Sequence, residues 1–512
     1  MKLKYVALIV FVVILAVIAV PVSNYFLKGK IEKALANLPK HVSVETKNIE
    51  VDITSGTMAF EGIDVIIHDT ISNETDLKLK LNAILVRDVD YMDFIFSNIL
   101  NIKEVDLDAP KMVYYKQGKK KKPSGPYNAS QSPEININRV NIEDGNAQVL
   151  DQQTDSLLFE VKHFKIKLQD VSHTPDVSHR IPVTFHDFNI TADGVRLNVG
   201  NFDRLFIDNV HIEDQVVVIN KLHLKTMYSK KELSKHIKTE RDHLDLKLDS
   251  LTLDNIDFGY KNDTIFYFST QKSKLHHLDL EVYRDKLVAD DHSIKLLYSQ
   301  MLRDLKFDLD VAELEVVDSR ISYKERVNHR IVPGEIFFTE FNATMKNISN
   351  TYPEGGKTEI KTTSKFMDEA LLKTDCEFDV NNVYDRFLFK GNLGKFHAVN
   401  MNQFLVPNLN VKFKGILYHT YFTIDGTANH SSIHLKTKFD GLHVSILRNH
   451  KHHHKKNRVL SAIANIFVSK TSKKGDSPFA EAVRHNVKRD KTKSVFNFLW
   501  LNVKDGLIHA KN

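Results

Sequence analysis

LKLDSLTLDNIDFGY, residues 246–260, is the stretch on which the reading of this chain turns. Leu246 and Leu248 alternate with polar residues, and so do Leu251 and Leu253, but the step from Leu248 to Leu251 is one residue too long. Apolar residues at every second position mark a strand with one buried face. A plain insertion would turn every later side chain to the other face. A β-bulge absorbs the extra residue, keeps the apolar set on one side and bends the strand.

The same pattern, apolar-x-x-apolar-x-apolar, recurs through most of the sequence. It is carried by Ile102, Val105 and Leu107; by Ile137, Val140 and Ile142; by Val161, Phe164 and Ile166; and by Phe185, Phe188 and Ile190. LDSLTL supplies Leu248, Leu251 and Leu253, and VAELEV supplies Val311, Leu314 and Val316. Further copies stand at 81–86, 207–212, 219–224, 275–280, 338–343 and 439–444. Several copies run through Asp, Asn, Gly or Pro into another alternating run: Val140 and Ile142 through Asp144 and Gly145 to Ala147 and Val149, for example. Val105 to Tyr114, Val210 to Ile219, Leu251 to Tyr260 and Leu314 to Tyr323 have the same form, and all read as antiparallel hairpins. Bulges repeated in successive strands would curl the sheet they form.

Composition agrees with strands. Gly (19) and Pro (12) are scarce, and Val, Ile, Leu, Phe, Thr and Asn are plentiful. Lys and Arg (71) are interspersed with Asp and Glu (65), which describes a solvated surface and not a nucleic-acid footprint. The single cysteine, Cys376, excludes an intrachain disulfide and sits passively in an alternating run. No Gly-rich phosphate loop, nucleophile elbow or zinc-protease motif is present, so no catalytic role, cofactor or metal is expected. His277, Asp279 and Glu281 share one face of a run whose leucines fit the repeat, so they read as a solvated outer face.

Tyr5 to Leu27 holds no charged residue and is flanked by Lys2 and Lys4 on one side and Lys28 and Lys30 on the other. As a helix it spans roughly 35 Å, enough to cross a bilayer core. A cleaved signal peptide is the competing reading, with Ala19 at a cleavage position. Helical patterning is otherwise confined to Lys28–Leu38, a short turn at Lys365–Leu372 and the tail beyond Arg458. The segments that follow are an anchor at 1–28, an N-terminal module at 29–116, a basic loop at 117–133, a repeated body at 134–447 and a tail at 448–512. In the tail, HKHHHKKNR (450–458) reads as an exposed basic loop. Phe496, Phe498 and Trp500 mark a stretch suited either to capping the β-core or to membrane contact.

An apolar strand face with no long helix to cover it demands a partner: a second sheet, closure into a barrel, or an apolar ligand. IEVDITSGTMAFEGIDV (49–65), LNIKEVDLDAPKMVYY (100–115), VNIEDGNAQVLD (140–151), LEVVDSRISYKE (314–325) and the run from Phe389 to Gly426 resemble the AsmA-like family of Gram-negative envelope proteins, relatives of the TamB-type proteins. That resemblance implies an inner-membrane, single-pass anchor and an elongated, mostly β body in the periplasm, with a curled antiparallel sheet and an apolar groove. It also implies a role in phospholipid traffic or outer-membrane homeostasis, with membrane phospholipids and envelope proteins as partners. It transfers no catalytic residue. The alternative is a non-enzymatic envelope scaffold built of closed β-sandwiches.

Overall fold

The structure, a computed structural model, describes residues 28–510 apart from 30–31, 34, 36–37, 53–54, 91–96, 98, 118–133, 174–182, 263 and 448–478. The anchor expected at Tyr5–Leu27, nearly all of the 117–133 loop and the His450–Arg458 run lie outside the described residues. Among the described residues no helix is long and apolar enough to cross a membrane.

The chain is mostly β and divides into two compact units: Met1–Lys221 with Tyr260–Thr264, and Leu222–Gly259 with Ile265–Asn512. The first contains β1 (Val42–Glu45), β2 (Asn48–Asp52), β3 (Thr57–His68), β4 (Thr75–Asp90), β5 (Ile99–Asp108) and β6 (Lys111–Lys116). It continues with β7 (Glu134–Asp151), β8 (Leu157–His173), β9 (Phe188–Val199), β10 (Asp203–Glu213) and the start of β11 (Val216–Thr226). β1 and β2 pair in succession along one edge of β3, and β3, β4 and β5 continue antiparallel. β5 and β6 both run parallel to β7, which then leads antiparallel through β8 and β9 to β10.

The second unit holds β12 (Asp242–Asp254), β13 (Asp257–Lys261, shared with the first unit), β14 (Ile265–Asp285), β15 (Asp308–Arg326), β16 (Gly334–Ser349) and β17 (Thr358–Phe366). β18 (Ala370–Phe378), β19 (Phe387–Leu393), β20 (Phe396–His397), β21 (Val411–Gly426), β22 (His430–Ile446) and β23 (Ala480–Lys488) complete it. Its helices are α1 (Lys230–His236), α2 (Tyr298–Arg303), α3 (Asn402–Leu409) and α4 (Val495–His509). β12 pairs antiparallel with β14, β14 runs parallel to β15, and from β15 through β16–β19, β21 and β22 to β23 the ladder is antiparallel.

The expected all-antiparallel sheet of hairpins is therefore corrected: the sheets are mixed. β7 runs unbroken through Glu143–Gly145, and β15 through Asp318–Ser319. β5 and β6, separated at Ala109–Pro110, lie end to end against β7 and do not face each other. The residues taken for reversals are local kinks: Asp144 and Asp318 have φ of 51° and 45°. Asp and Asn enter this left-handed region more readily than other non-glycine residues, so the chain bends there without turning back. Lys365–Leu372 is likewise not helical. β17 and β18 form a hairpin linked by three residues, Met367, Asp368 and Glu369, of which the first two have positive φ, a short hairpin loop.

The inserted residue of the repeat is handled in a way the sequence did not specify. Leu248 faces Leu278 and Ser250 faces His276, so Asp249 and His277 are both set aside and the ladder keeps its register. His277 takes the left-handed conformation, as do Asp88, Lys221 and Gly441 within or opposite other copies. In β15–β16 a shift on one strand is answered by a shift on the other, whereas β16–β17 retains a one-sided extra residue, at Glu340–Phe341. Sharing the insertion keeps leucine opposite leucine across the ladder.

Candidate functional site: the apolar face of the second unit

Register carries the apolar positions from strand to strand. Leu253, Ser273, Leu314, Met345, Ile360, Cys376, Phe389, Ile424 and Ile433 are successive partners across β12, β14–β19, β21 and β22. The neighbouring row runs Leu251, Leu275, Val316, Ala343, Thr362, Thr374, Gly391, Phe422 and Leu435. At about 4.8 Å per strand each row extends roughly 38 Å, against about 15 Å for the acyl tails of one leaflet.

The cover over these rows changes along their length. At β12–β16 the packed cluster is Leu248, Leu278, Val316 and Ala343, bordered by half-buried residues that include Leu251, Leu275, Leu314 and Met345. Every member comes from adjacent strands; among the described residues neither a helix nor a second sheet contributes a side chain to it. Van der Waals contact along one layer leaves these side chains half-buried. At β18–β22 the face is closed. Leu297 and Leu302, in and beside α2, and Phe498, Leu499 and Val503 of α4 join Phe378, Phe387, Ile424, Ile433 and Leu435 in one core. Burial pushes the Cys376 thiol up to about 12, in keeping with a passive strand residue.

α4 fits this end closely. Ser494 caps it by accepting from the backbone N–H of Asn497. Phe498, Asn502 and Gly506, one turn apart, form its buried stripe. Ser431 Oγ donates to Asn502 Oδ1 at 2.8 Å, while Asn502 Nδ2 donates to the Phe498 carbonyl at 2.9 Å, which satisfies the one amide in this apolar seam. A Cβ on Gly506 would stand 3.0 Å from Leu435 Cβ, so the glycine lets helix and sheet approach.

The first unit has an equivalent row: Phe60, Ile84, Leu107, Ile142, Ile166, Ile190 and Ile212 are successive partners from β3 to β10, β6 excepted. Its β3–β5 end is a deep core, with Phe60 fully buried. Ile102, Val105, Leu107 and Ile137 belong to that core, and Val140 and Ile142 pack against it. These residues were expected to line a groove; they are internal packing, because residues of β1–β4 and Leu35 close over them. Val161 is buried, Phe164, Ile166, Phe188 and Ile190 are half-buried, and Phe185 is exposed against Phe188. The Phe164 ring lies on Gly145, where a Cβ would come within 2.3 Å of it, an arrangement by which an aromatic side chain covers a glycine in a strand.

In the second unit Leu248, Val311 and Val316 are buried, and Leu251, Leu253 and Leu314 are half-buried on the open part of the face. Of the three tail aromatics, Phe498 is 1% exposed and so is corrected from membrane contact to core packing, while Phe496 and Trp500 are 71% and 40% exposed. Sequence reading missed Met345, Ile360, Phe389, Ile424 and Ile433, which complete the long row. Ile360 and Phe389 lie on strands that alternate without the inserted residue and the other three lie outside the inserted step of theirs, so plain alternation was the available signal.

The opposite face is polar. His277 bridges two kink carboxylates, Nδ1 to Asp249 at 3.0 Å and Nε2 to Asp318 at 3.3 Å. Glu281 accepts from Lys324 and Lys230, and these cations hold its carboxyl below the usual range although burial opposes them. Among the described residues no cluster of His, Cys, Asp or Glu could hold a metal ion. No protein-family model and no curated protein matches the chain.

Proposed function

We propose that the second unit binds the acyl tails of membrane lipids along its apolar face, as the lipid-holding part of an envelope protein of the AsmA-like type. The observation that carries the reading is the Leu251–Leu275 and Leu314–Met345 region, where in-register aliphatic side chains from one sheet stay half-exposed. Such a surface is costly to leave in water: each methylene withdrawn from it is worth about 0.8 kcal/mol. Acyl tails need no directed polar partner, and Ser273 is the polar residue among the row partners on this stretch of the face. In this reading the chain is anchored by Tyr5–Leu27 in an inner membrane, its body lies in the periplasm, and its role is non-catalytic, serving phospholipid traffic or outer-membrane homeostasis.

The deep core of the first unit supports a division of labour in which β1–β7 act as a rigid base and the open leucine face carries the cargo. The test is extraction of the purified, detergent-exchanged chain followed by mass spectrometry. Phospholipid retained in fixed proportion to protein through successive exchanges supports the reading. Lipid that washes out to the level of an unrelated single-span protein refutes it.

A further inference from the structure

The polar side of the first unit holds two neighbouring arginines, Arg196 on β9 and Arg204 on β10, both half-buried. Arg196 faces Phe206 and Arg204 faces Asn198 across the ladder, so the two cations are diagonal neighbours. Such positions stand about 7–8 Å apart, within reach of long side chains, and like charges set against each other in a sheet destabilise it. Asn198 fixes one of the pair. Its Oδ1 accepts from Arg204 Nε at 2.8 Å while its Nδ2 donates to the Leu157 carbonyl at 2.7 Å, which locks the amide at both ends.

No carboxylate neutralises either arginine among the described residues. Glu160, the register partner of Arg196 on β8, accepts from Gln148 Nε2 at 2.9 Å and forms no ion pair with it. Asp203 precedes Arg204 directly and so points to the other face of the sheet. The terminal nitrogens of Arg204 and the whole Arg196 guanidinium have no protein acceptor, and Arg196 Nε is shielded from solvent as well. Burial and the adjacent Arg196 charge both push the Arg204 guanidinium below its ordinary value. In Arg284 of the second unit burial acts in the same direction, but the paired Asp242 carboxylate outweighs it. Half-buried cations left without a counter-charge are costly, and two planar forks offer donors in the arrangement that phosphate oxygens accept.

We propose that Arg196 and Arg204 together hold a phosphate group, with Asn198 as the positioning residue that orients Arg204. The shared chemistry is the phosphate oxyanion, whether free or carried on a lipid headgroup, and the site is independent of acyl tails on the leucine face of the second unit. The full chain in an uncharged detergent is titrated with inorganic phosphate and, separately, with dihexanoyl phosphatidic acid. Ionic strength is held constant with chloride, and binding is followed by calorimetry and by melting.

The expected result is saturable one-to-one binding and a raised melting temperature with at least one of the two ligands. Arg196→Gln and Arg204→Gln should each weaken that binding roughly tenfold. Because each relieves a like-charge contact, neither should melt below the parent when phosphate is absent. Tighter binding of the lipid ester assigns the site to a headgroup, and tighter binding of inorganic phosphate assigns it to the free ion. Absence of saturable binding with both ligands overturns the proposal. So does an Arg196→Gln, Arg204→Gln double variant that binds as strongly as the parent. A double variant that melts well below the parent without phosphate would make the arginines structural, and overturns it too.

Discussion

Replacing Leu314 and Met345 together by threonine tests the open face where its two rows are least covered. The two residues are register partners on β15 and β16, both half-buried. Each substitution exchanges about two carbon groups for a hydroxyl. At about 0.8 kcal/mol per buried group, with half of each side chain already shielded by protein, the loss of contact with a bound tail is about 1 kcal/mol per site. The pair then costs about 2 kcal/mol, roughly a thirtyfold fall in affinity. The backbone tolerates threonine here: Thr362 and Thr374 already face each other in the neighbouring row, their hydroxyls 2.7 Å apart. Native mass spectrometry of the variant against the parent measures the retained lipid. Glu313→Thr with Lys346→Thr, which removes an ion pair on the opposite face, is the matched control. A folded Leu314→Thr, Met345→Thr chain that holds as much lipid as the parent would refute the reasoning.

Other expectations follow from packing and charge. Phe498→Ala should cost about 3–5 kcal/mol of second-unit stability in denaturant melts, whereas Phe496→Ser should leave it within about 0.5 kcal/mol; equal effects would mean that α4 is oriented otherwise. Gly506→Leu, with 3.0 Å of room at the first carbon, should lift α4 from β22 at about 1–3 kcal/mol and increase binding of a hydrophobic dye; an unchanged melt would contradict the close seam. Burial opposes ionisation of Asp285, yet bonds from Arg326 and Ser234 hold its carboxyl below the usual range. A depressed folded pKa gives stability present above the unfolded value near 4 and lost as pH falls through the folded one. Asp285→Asn should therefore be less stable than the parent at neutral pH, with the gap closing in acid; a gap that is constant with pH would exclude this linkage.

Much of the architecture was legible because strand periodicity is written in single residues. Leu246, Leu248, Leu251 and Leu253 do lie along one strand with the inserted step between them, and they keep to one face. The direction of neighbouring strands was not legible. β14 and β15 run parallel through a 22-residue connection holding α2, and nothing in the alternation of either strand encodes that choice. The kinks failed for a related reason. Asp, Asn and Gly favour positive φ equally in a reversal and in a shared insertion, so Glu143–Gly145 reads as a turn until its ladder is seen. For the candidate site the repeat found Leu251, Leu253 and Leu314, but it also selected Ile102, Val105 and Leu107. Pattern reports which face is apolar, whereas cover depends on elements distant in sequence. Phe498 and Trp500 show the same limit on α4, where two residues of rotation separate the core from the surface.

Photo-crosslinking tests the central claim most directly. With benzoylphenylalanine at Leu275 on the apolar face and at Lys274, the next residue on the opposite face, irradiation of the chain in its native membrane should add the mass of a phospholipid at Leu275 and not at Lys274. Absence of a lipid adduct at Leu275, or equal adducts at both positions, would contradict the account.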